Sequence, residues 1–433
     1  MGMVDGHDRL GERTASMPAQ STGGSVAPMA RSFEVLHGVG RGLGAGTYLD
    51  ANSTVEPLPE VVDSILGVFA AGAGNAASPH ARGSSARILI QAACDEIAGI
   101  AAGLLPENIV FTSNGTEANN ASLSGVPWSS ETTIIVGATE HASVLKAAEH
   151  AERRHGVDVR VVPVDRHGIV RFEEFRHAVS TAGRNLLVSL QWANGETGVV
   201  QPVEQLASET KSLRADAFFH SDAAQAAGRV PLSIGPIVPI DALSISGHKF
   251  HAPQGIGAVL LADPDVFAPG TLLFGGGQQR GLRAGTEPTH LVAGMGTAAR
   301  IRIRRFDADV ELLGRLRDAF ESRVLERFGD AVVNGAGARR VPNTTNIGFP
   351  GVDGAALIAN LDERGVFCSQ ASACSSGRPE PSHVLTAMGL DEREAYASVR
   401  FSMSVLNMPE EVVRAADVVA ETALALRMKG AFW

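Results

Sequence analysis

The feature that most constrains this chain is a series of short apolar, β-branched runs separated by stretches with helical spacing. Residues 109–111, 133–136, 157–162, 186–190, 218–220, 242–245 and 256–261 read as strands, many of them apolar without alternation. Strands of that kind must be covered on both faces. Alternation of such strands with helices builds a largely parallel sheet flanked by helices, an α/β arrangement. Apolar residues three and four apart mark helices over 60–70 and 84–103. Regular order starts near Tyr48, and beyond about residue 301 the pattern changes. A long amphipathic helix over 310–328 leads into short strands at 332–333 and 345–348 and a second strand–helix set, expected as a smaller α+β domain. The expected organisation is a disordered leader over 1–46, a large domain over 59–305, and a small domain formed by 47–58 and 306–433. The leader is rich in Gly, Ser, Ala and Pro and has no apolar signal core. Its Asp5, Asp8, Glu12 and Glu34 count against an organelle transit peptide.

Charge and cysteine usage narrow the function classes. A net charge of -10 does not favour a nucleic-acid surface, so a small-molecule substrate or a protein partner fits better. No apolar run approaches the ~18 residues of a membrane span. The three cysteines, Cys94, Cys368 and Cys374, form no CxxC pair. That argues against a disulfide framework or a structural metal site, and for a reducing, cytoplasmic compartment.

In open α/β sheets ligands bind at the carboxyl ends of the strands, and the chemically loaded motifs fall there. The chain has only four lysines, and Lys249 follows a strand directly in Ser246-Gly247-His248-Lys249. A lysine that acts as an amine must be partly desolvated. Ser246 and His248 can donate to a phosphate, and Gly247 allows close backbone approach. Asp222 ends another strand, where a carboxylate is commonly a helix N-cap. Its functional reading is a partner for a protonated pyridine nitrogen, with Gln225 donating to the ring's phenolic oxygen. The run 111–120 is a strand, a small-residue turn and a helix start, whose unpaired N–H groups make a phosphate cradle; a plain capping turn at Thr116 reads the same way. His141 offers an imidazole that can stack on a ring, although a lone histidine is more often structural. Asn194 follows a further strand, where it can bond a ring oxygen or the substrate.

In this order the segments resemble the cysteine desulfurase family, among the class V, fold-type-I aminotransferase relatives. The resemblance runs from about Tyr48 to Met403. It is carried by 112–120, Glu140-His141, 194–198, 222–225, 246–249, 275–286, 372–376 and 398–402. It implies a large domain with a mostly parallel mixed sheet, a smaller α+β domain carrying a catalytic cysteine loop, and pyridoxal 5'-phosphate as cofactor. Lys249 would hold the cofactor, Asp222 would pair with the pyridinium, and Gln225 would bond the phenolate. His141 would stack on the ring and shuttle protons. Gly115, Thr116, Ser246 and His248 would bind phosphate, with Thr286 reaching in from the other subunit of a homodimer with shared active sites. Asn194 and Arg400 would contact the substrate, Arg400 through a planar fork suited to a carboxylate. Cys374 would take sulfur from L-cysteine as a persulfide, leaving L-alanine, and pass it to a sulfur-acceptor protein, as in iron–sulfur assembly. Cys94 and Cys368 are expected as core residues. The chain departs from the family pattern at Ser53-Thr54-Val55-Glu56, at Asn194-Gly195-Glu196, where Asn-Asn-Glu is usual, and at Met403-Ser404-Val405-Leu406. A C–S or selenocysteine lyase, a class V transaminase and a non-catalytic scaffold remain as alternatives.

Overall fold

The computed structural model describes residues 46–265, 270, 272–370 and 381–430. The leader expected over 1–46, apart from Gly46, and the 372–376 motif with Cys374 lie outside the described residues.

Among the described residues, seven strands form the central sheet: β1 (Ile109–Thr112), β2 (Thr132–Gly137), β3 (Asp158–Val162), β4 (Asn185–Ser189), β5 (Phe218–Asp222), β6 (Ala242–Ser246) and β7 (Gly257–Leu261). Their spatial order is β1-β7-β6-β5-β4-β2-β3. β7 runs antiparallel to both neighbours and every other pair is parallel. The expected mixed, mostly parallel sheet is therefore present. Helices α1 (Pro59–Ala71), α2 (Ala81–Ala98), α3 (Gly115–Leu123), α4 (Ala142–His155), α5 (Phe172–Ser180), α6 (Val203–Leu213) and α7 (Thr289–Arg304) flank it. Successive strand residues point to opposite faces. Ile135, Val188 and Phe219 thus join a core with Ile97 of α2, Phe175 of α5, Leu206 of α6 and Met295 of α7. Ile134, Val136 and Leu187 join another with Leu123 of α3 and Val144 of α4.

The helix expected over 84–103 ends sooner, at Ala98. Ala101–Ala102 instead pairs in parallel with Leu232–Ser233. Glycines break the helical run: Gly103 has φ 89, and a Cβ there would stand 2.3 Å from the Ile234 carbonyl oxygen.

A second layer follows: α8 (Phe306–Phe328), β8 (Val332–Val333), β9 (Thr344–Gly348), α9 (Gly354–Glu363), α10 (His383–Ala387), α11 (Glu392–Tyr396), β10 (Ser398–Ser402) and α12 (Pro409–Met428). β8, β9 and β10 form an antiparallel sheet. Phe320 and Val324 of α8, Phe401 of β10 and Val419 of α12 share its core, and Leu49 packs into it too.

At the junction of α7 and α8 the side chains of Arg302 and Asp309 are only 4% and 2% exposed and form an ion pair. Arg302 also donates to the Gly228 carbonyl at 2.8 Å. Removing one partner of such a pair strands the other's charge in the interior. Asp309→Ala is expected to cost about 3–5 kcal/mol, read as a lowered urea midpoint.

Candidate active site

The ends of β5 and β6, the start of α3 and the start of α4 converge on one cavity of about 190 Å³. Gly115, Thr116, His141, Asp222, Gln225, Ser246, His248 and Lys249 all line it. Sequence reasoning placed each of these at a site, and the fold brings them together.

The α3 end is built for an anion. Asn114 caps the helix, its side-chain oxygen accepting from the Glu117 N–H at 2.9 Å. A Cβ on Gly115 would stand 3.1 Å from the Ser246 Cβ, so glycine keeps space open between the helix's first turn and the end of β6. A Cβ on Gly257 would stand 2.6 Å from the Asn114 carbonyl carbon, which is why β7 can pass beneath the cap only as glycine. Helix N-terminal amides, two hydroxyls and an imidazole make a donor set that suits a phosphate. His248 meets the Thr54 hydroxyl at 3.1 Å. Burial first, then the charges of Lys249 and Arg229, push its imidazole down to about 4, so the ring is neutral around pH 7.

Asp222 ends β5 in a buried position with both oxygens fixed. One accepts from the Ala224 N–H at 2.9 Å, the other from the Asn119 amide at 2.7 Å. That amide also donates to the Ser143 hydroxyl at 2.8 Å, and the hydroxyl meets Nδ1 of His141 at 2.7 Å. A hydrogen-bonded chain thus links the carboxylate to the imidazole. The Asn119 side-chain oxygen is buried without a partner among the described residues.

Lys249 donates to the carbonyls of Asn52 at 2.6 Å and Ser53 at 2.8 Å. Burial, followed by the positive charges of Arg229 and Arg400, lowers its amine to about 8, against the opposing pull of Asp50 and Asp222. Gln225 donates to the same Asn52 carbonyl at 3.1 Å and accepts from Arg229.

Arg400, on β10, donates to Asp50 at 2.6 Å, to the Ser53 hydroxyl at 2.8 Å and to the Gly195 carbonyl at 3.1 Å. Its Nε is buried without a partner among the described residues. Gly195 lines the cavity, so Arg400 reaches its wall through that residue.

Like Arg400, two further expected residues do not line the cavity. Asn194 does not line the cavity: its amide donates to the Thr139 carbonyl at 3.1 Å, and its oxygen accepts from the N–H groups of Glu196 at 2.9 Å and Thr197 at 2.8 Å. Those bonds tie it to its own turn and to Thr139, so here it is set back from the cavity wall that it was expected to form. Thr286 is exposed and does not line this chain's cavity.

Sequence reasoning gave no role to Asn119 and Glu140, although both lie in its motifs, and passed over Ser143, Asn52 and Arg229. Asn119 lies one turn past Gly115 on the same helix, a spacing that places both on one face. Glu140 accepts from the Gln191 N–H at 2.9 Å, and burial holds its carboxyl well above the usual range. Just beyond the undescribed 371–380, the Ser382 hydroxyl donates to Glu196 at 2.5 Å, and the His383 ring meets the Glu140 carbonyl at 3.0 Å. Of the other thiols, Cys94 lies in the core and Cys368 packs half-buried beside the second core.

Comparison with known proteins gives the family. The family model described as Aminotransferase class-V matches residues 47–414. A cysteine desulfurase of Sinorhizobium fredii is 40% identical over 382 residues, covering 88% of this chain and 97% of that protein. Among solved structures, a NifS-like protein superposes with a TM-score of 0.80 at 30% identity, covering 88% of this chain and 100% of that one. SspA in complex with cysteine gives 0.71 at 29% identity, over 83% and 99% of the two chains.

Proposed function

The chain belongs to the class-V aminotransferase family, and from that premise we propose that it is a cysteine desulfurase. It uses pyridoxal 5'-phosphate to convert L-cysteine to L-alanine, and Cys374 carries the sulfur as a persulfide to a sulfur-acceptor protein. The observation that carries this reading is the desolvated amine of Lys249 in one cavity with the fixed carboxylate of Asp222 and the anion cradle at α3. The gap that a Cβ at Gly115 would fill, and the unpartnered oxygen of Asn119, fit a bound polar group there.

When bound, the cofactor supplies an electron sink to the carbon that gives up a proton. The chain's own residues do the rest. Gly115, Thr116, Ser246 and His248 would hold the phosphate; Asp222 would keep a proton on the pyridine nitrogen, and Gln225 would donate to the phenolic oxygen. Lys249, neutral in part near its shifted value of about 8, holds the cofactor and then takes the Cα proton of the substrate. His141 covers the ring and moves a proton to or from the substrate thiol. Arg400 clamps the carboxylate. The Cys374 thiolate attacks the substrate sulfur, forming an S–S bond as the C–S bond breaks. The electron pair of that bond leaves with Cβ, which takes a proton, and the proton held by Lys249 returns to Cα to complete alanine.

An apolar strip on α1, with Phe69 61% exposed, and Phe274 at 90% support a homodimer in which Thr286 completes the partner subunit's phosphate site. The core that joins Leu49 to residues 313–423 supports a small domain from 47–58 and 306–433 beside a large one over 59–305, although Leu58, Val341, Val384, Leu385, Met388 and Ala395 pack into the large core. Unpaired Cys94 and Cys368 accord with the reducing cytoplasm. Among the described residues no helix is long and apolar enough to cross a membrane.

Incubation of the cofactor-loaded protein with L-cysteine and a thiol reductant is expected to give alanine and sulfide in equal amounts. Pyruvate in place of alanine would move the assignment to a C–S lyase, and 3-mercaptopyruvate formed only with an oxo-acid acceptor would move it to a transaminase.

A further inference from the structure

Buried guanidinium groups in this fold are normally matched by a carboxylate. Arg302 pairs with Asp309, Arg400 with Asp50 and Arg340 with Glu321. Arg229 differs. It is 5% exposed, and its hydrogen bonds go to neutral oxygens: the carbonyl of Gln225 at 3.1 Å, the side-chain oxygen of Gln225, and the carbonyl of Lys249 at 3.0 Å. An uncompensated buried charge is costly and calls for a use. Here it bridges the turn after β5 to the turn after β6, the two segments that carry Gln225 and Lys249.

We propose that Arg229 is a positioning residue for the Lys249 amine, fixing the Gln225 amide and presenting a positive charge that favours the neutral form of the amine. The charged and titratable groups acting on Lys249 are Arg229 and Arg400 on one side, Asp50 and Asp222 on the other, with neutral His248 next in sequence. Among the described residues, both carboxylates are already engaged, Asp50 by Arg400 and Asp222 by Asn119 and Ala224. Among the described residues Arg229 has no such partner to blunt its field; burial and the charges of Arg302 and Arg400 even bring its own guanidinium down to about 9. The Arg229 guanidinium, bonded to the carbonyl of Lys249 itself, is the largest charge acting on its amine.

The inference rests on the reading of Lys249 as the cofactor-holding lysine, but its test needs no turnover and can fail while cysteine desulfuration stands. Full-length protein, freed of bound carbonyl compounds with hydroxylamine, is labelled with trace acetic anhydride across a pH series, and mass spectrometry reads the four lysines separately. Lys146, with a side chain 76% exposed, is the solvent reference. Lys211, bonded to the Ala217 carbonyl and to Asp241, reports an intact fold by staying protected. In the wild type Lys249 is expected to reach half-labelling near pH 8. In Arg229→Gln the ammonium is no longer opposed, so the midpoint rises and labelling at pH 8 falls about threefold to tenfold relative to Lys146. Arg229→Lys keeps the charge and is expected to stay within about twofold of wild type. An unchanged Lys249 midpoint in Arg229→Gln, or an equal rise in Arg229→Lys, with Lys211 still protected, would overturn the proposal. Lost Lys211 protection in both variants would make Arg229 structural only and would overturn it as well; if only Arg229→Gln loses it, Arg229→Lys decides.

Discussion

Lys249→Ala is expected to form no alanine from L-cysteine beyond what free pyridoxal 5'-phosphate produces in the same buffer. The argument is one of location and supply. Lys249 is the lysine whose amine lines the cavity with Asp222 and the α3 cradle. Lys146 lies on the outer surface of α4 in a pair with Glu149, and Lys211 is tied to Asp241. Neither can reach across to hold the cofactor or take the Cα proton. The carboxylate and cradle survive in the variant, because Asp222 is fixed by Asn119 and Ala224 and not by the lysine. Cofactor phosphate can therefore still dock, and the visible absorbance of the loaded wild type is the property expected to disappear. Amino-acid analysis of the reaction and an absorbance scan measure the two effects. Alanine formation at the wild-type rate would mean that the cavity is not the reaction site.

The second large effect is expected from Cys374→Ser, which should lose both sulfide release under reductant and alanine formation. No other thiol can stand in. Burial pushes Cys94 up to about 12, and burial together with Asp50 does the same to Cys368. At neutral pH such groups are thiolate in only about one molecule in 10⁴–10⁵. Cys94 also sits within the core beneath the large sheet, away from the cavity lining. A lyase that expels sulfide without a protein acceptor would keep its full rate in this variant. Sulfide electrode traces of wild type and variant side by side distinguish the two.

The large sheet was legible because its strands are apolar on both faces, and seven such runs separated by helical spacing admit few other arrangements. The end of α2 was not, since 99–103 keeps an apolar pattern while two glycines and a close approach to Ile234 take it out of the helix. At the site, residues that follow a strand directly were readable from motif and position: Lys249, Asp222, His141 and the Gly115 turn. Asn194 shows the limit of that reasoning. A motif identifies a loop, but whether the asparagine faces the ligand or bonds its own turn depends on geometry that the letters do not hold, and here Gly195 faces the cavity instead. Asn52 and Arg229 were invisible for a different reason. The carbonyl of Asn52 meets Lys249 across 197 residues of chain, and the Lys249 carbonyl that Arg229 bonds lies on a neighbouring strand's turn that only the assembled sheet brings near.

The sulfur's resting place is the most direct test of the account. The cofactor-loaded, full-length protein is given L-cysteine without reductant, digested, and the cysteine peptides weighed. The account predicts a gain of about 32 Da on the Cys374 peptide, reversed by dithiothreitol, with one alanine formed per sulfur bound. Alanine or pyruvate accumulating over many turnovers while the Cys374 peptide keeps its original mass would contradict it.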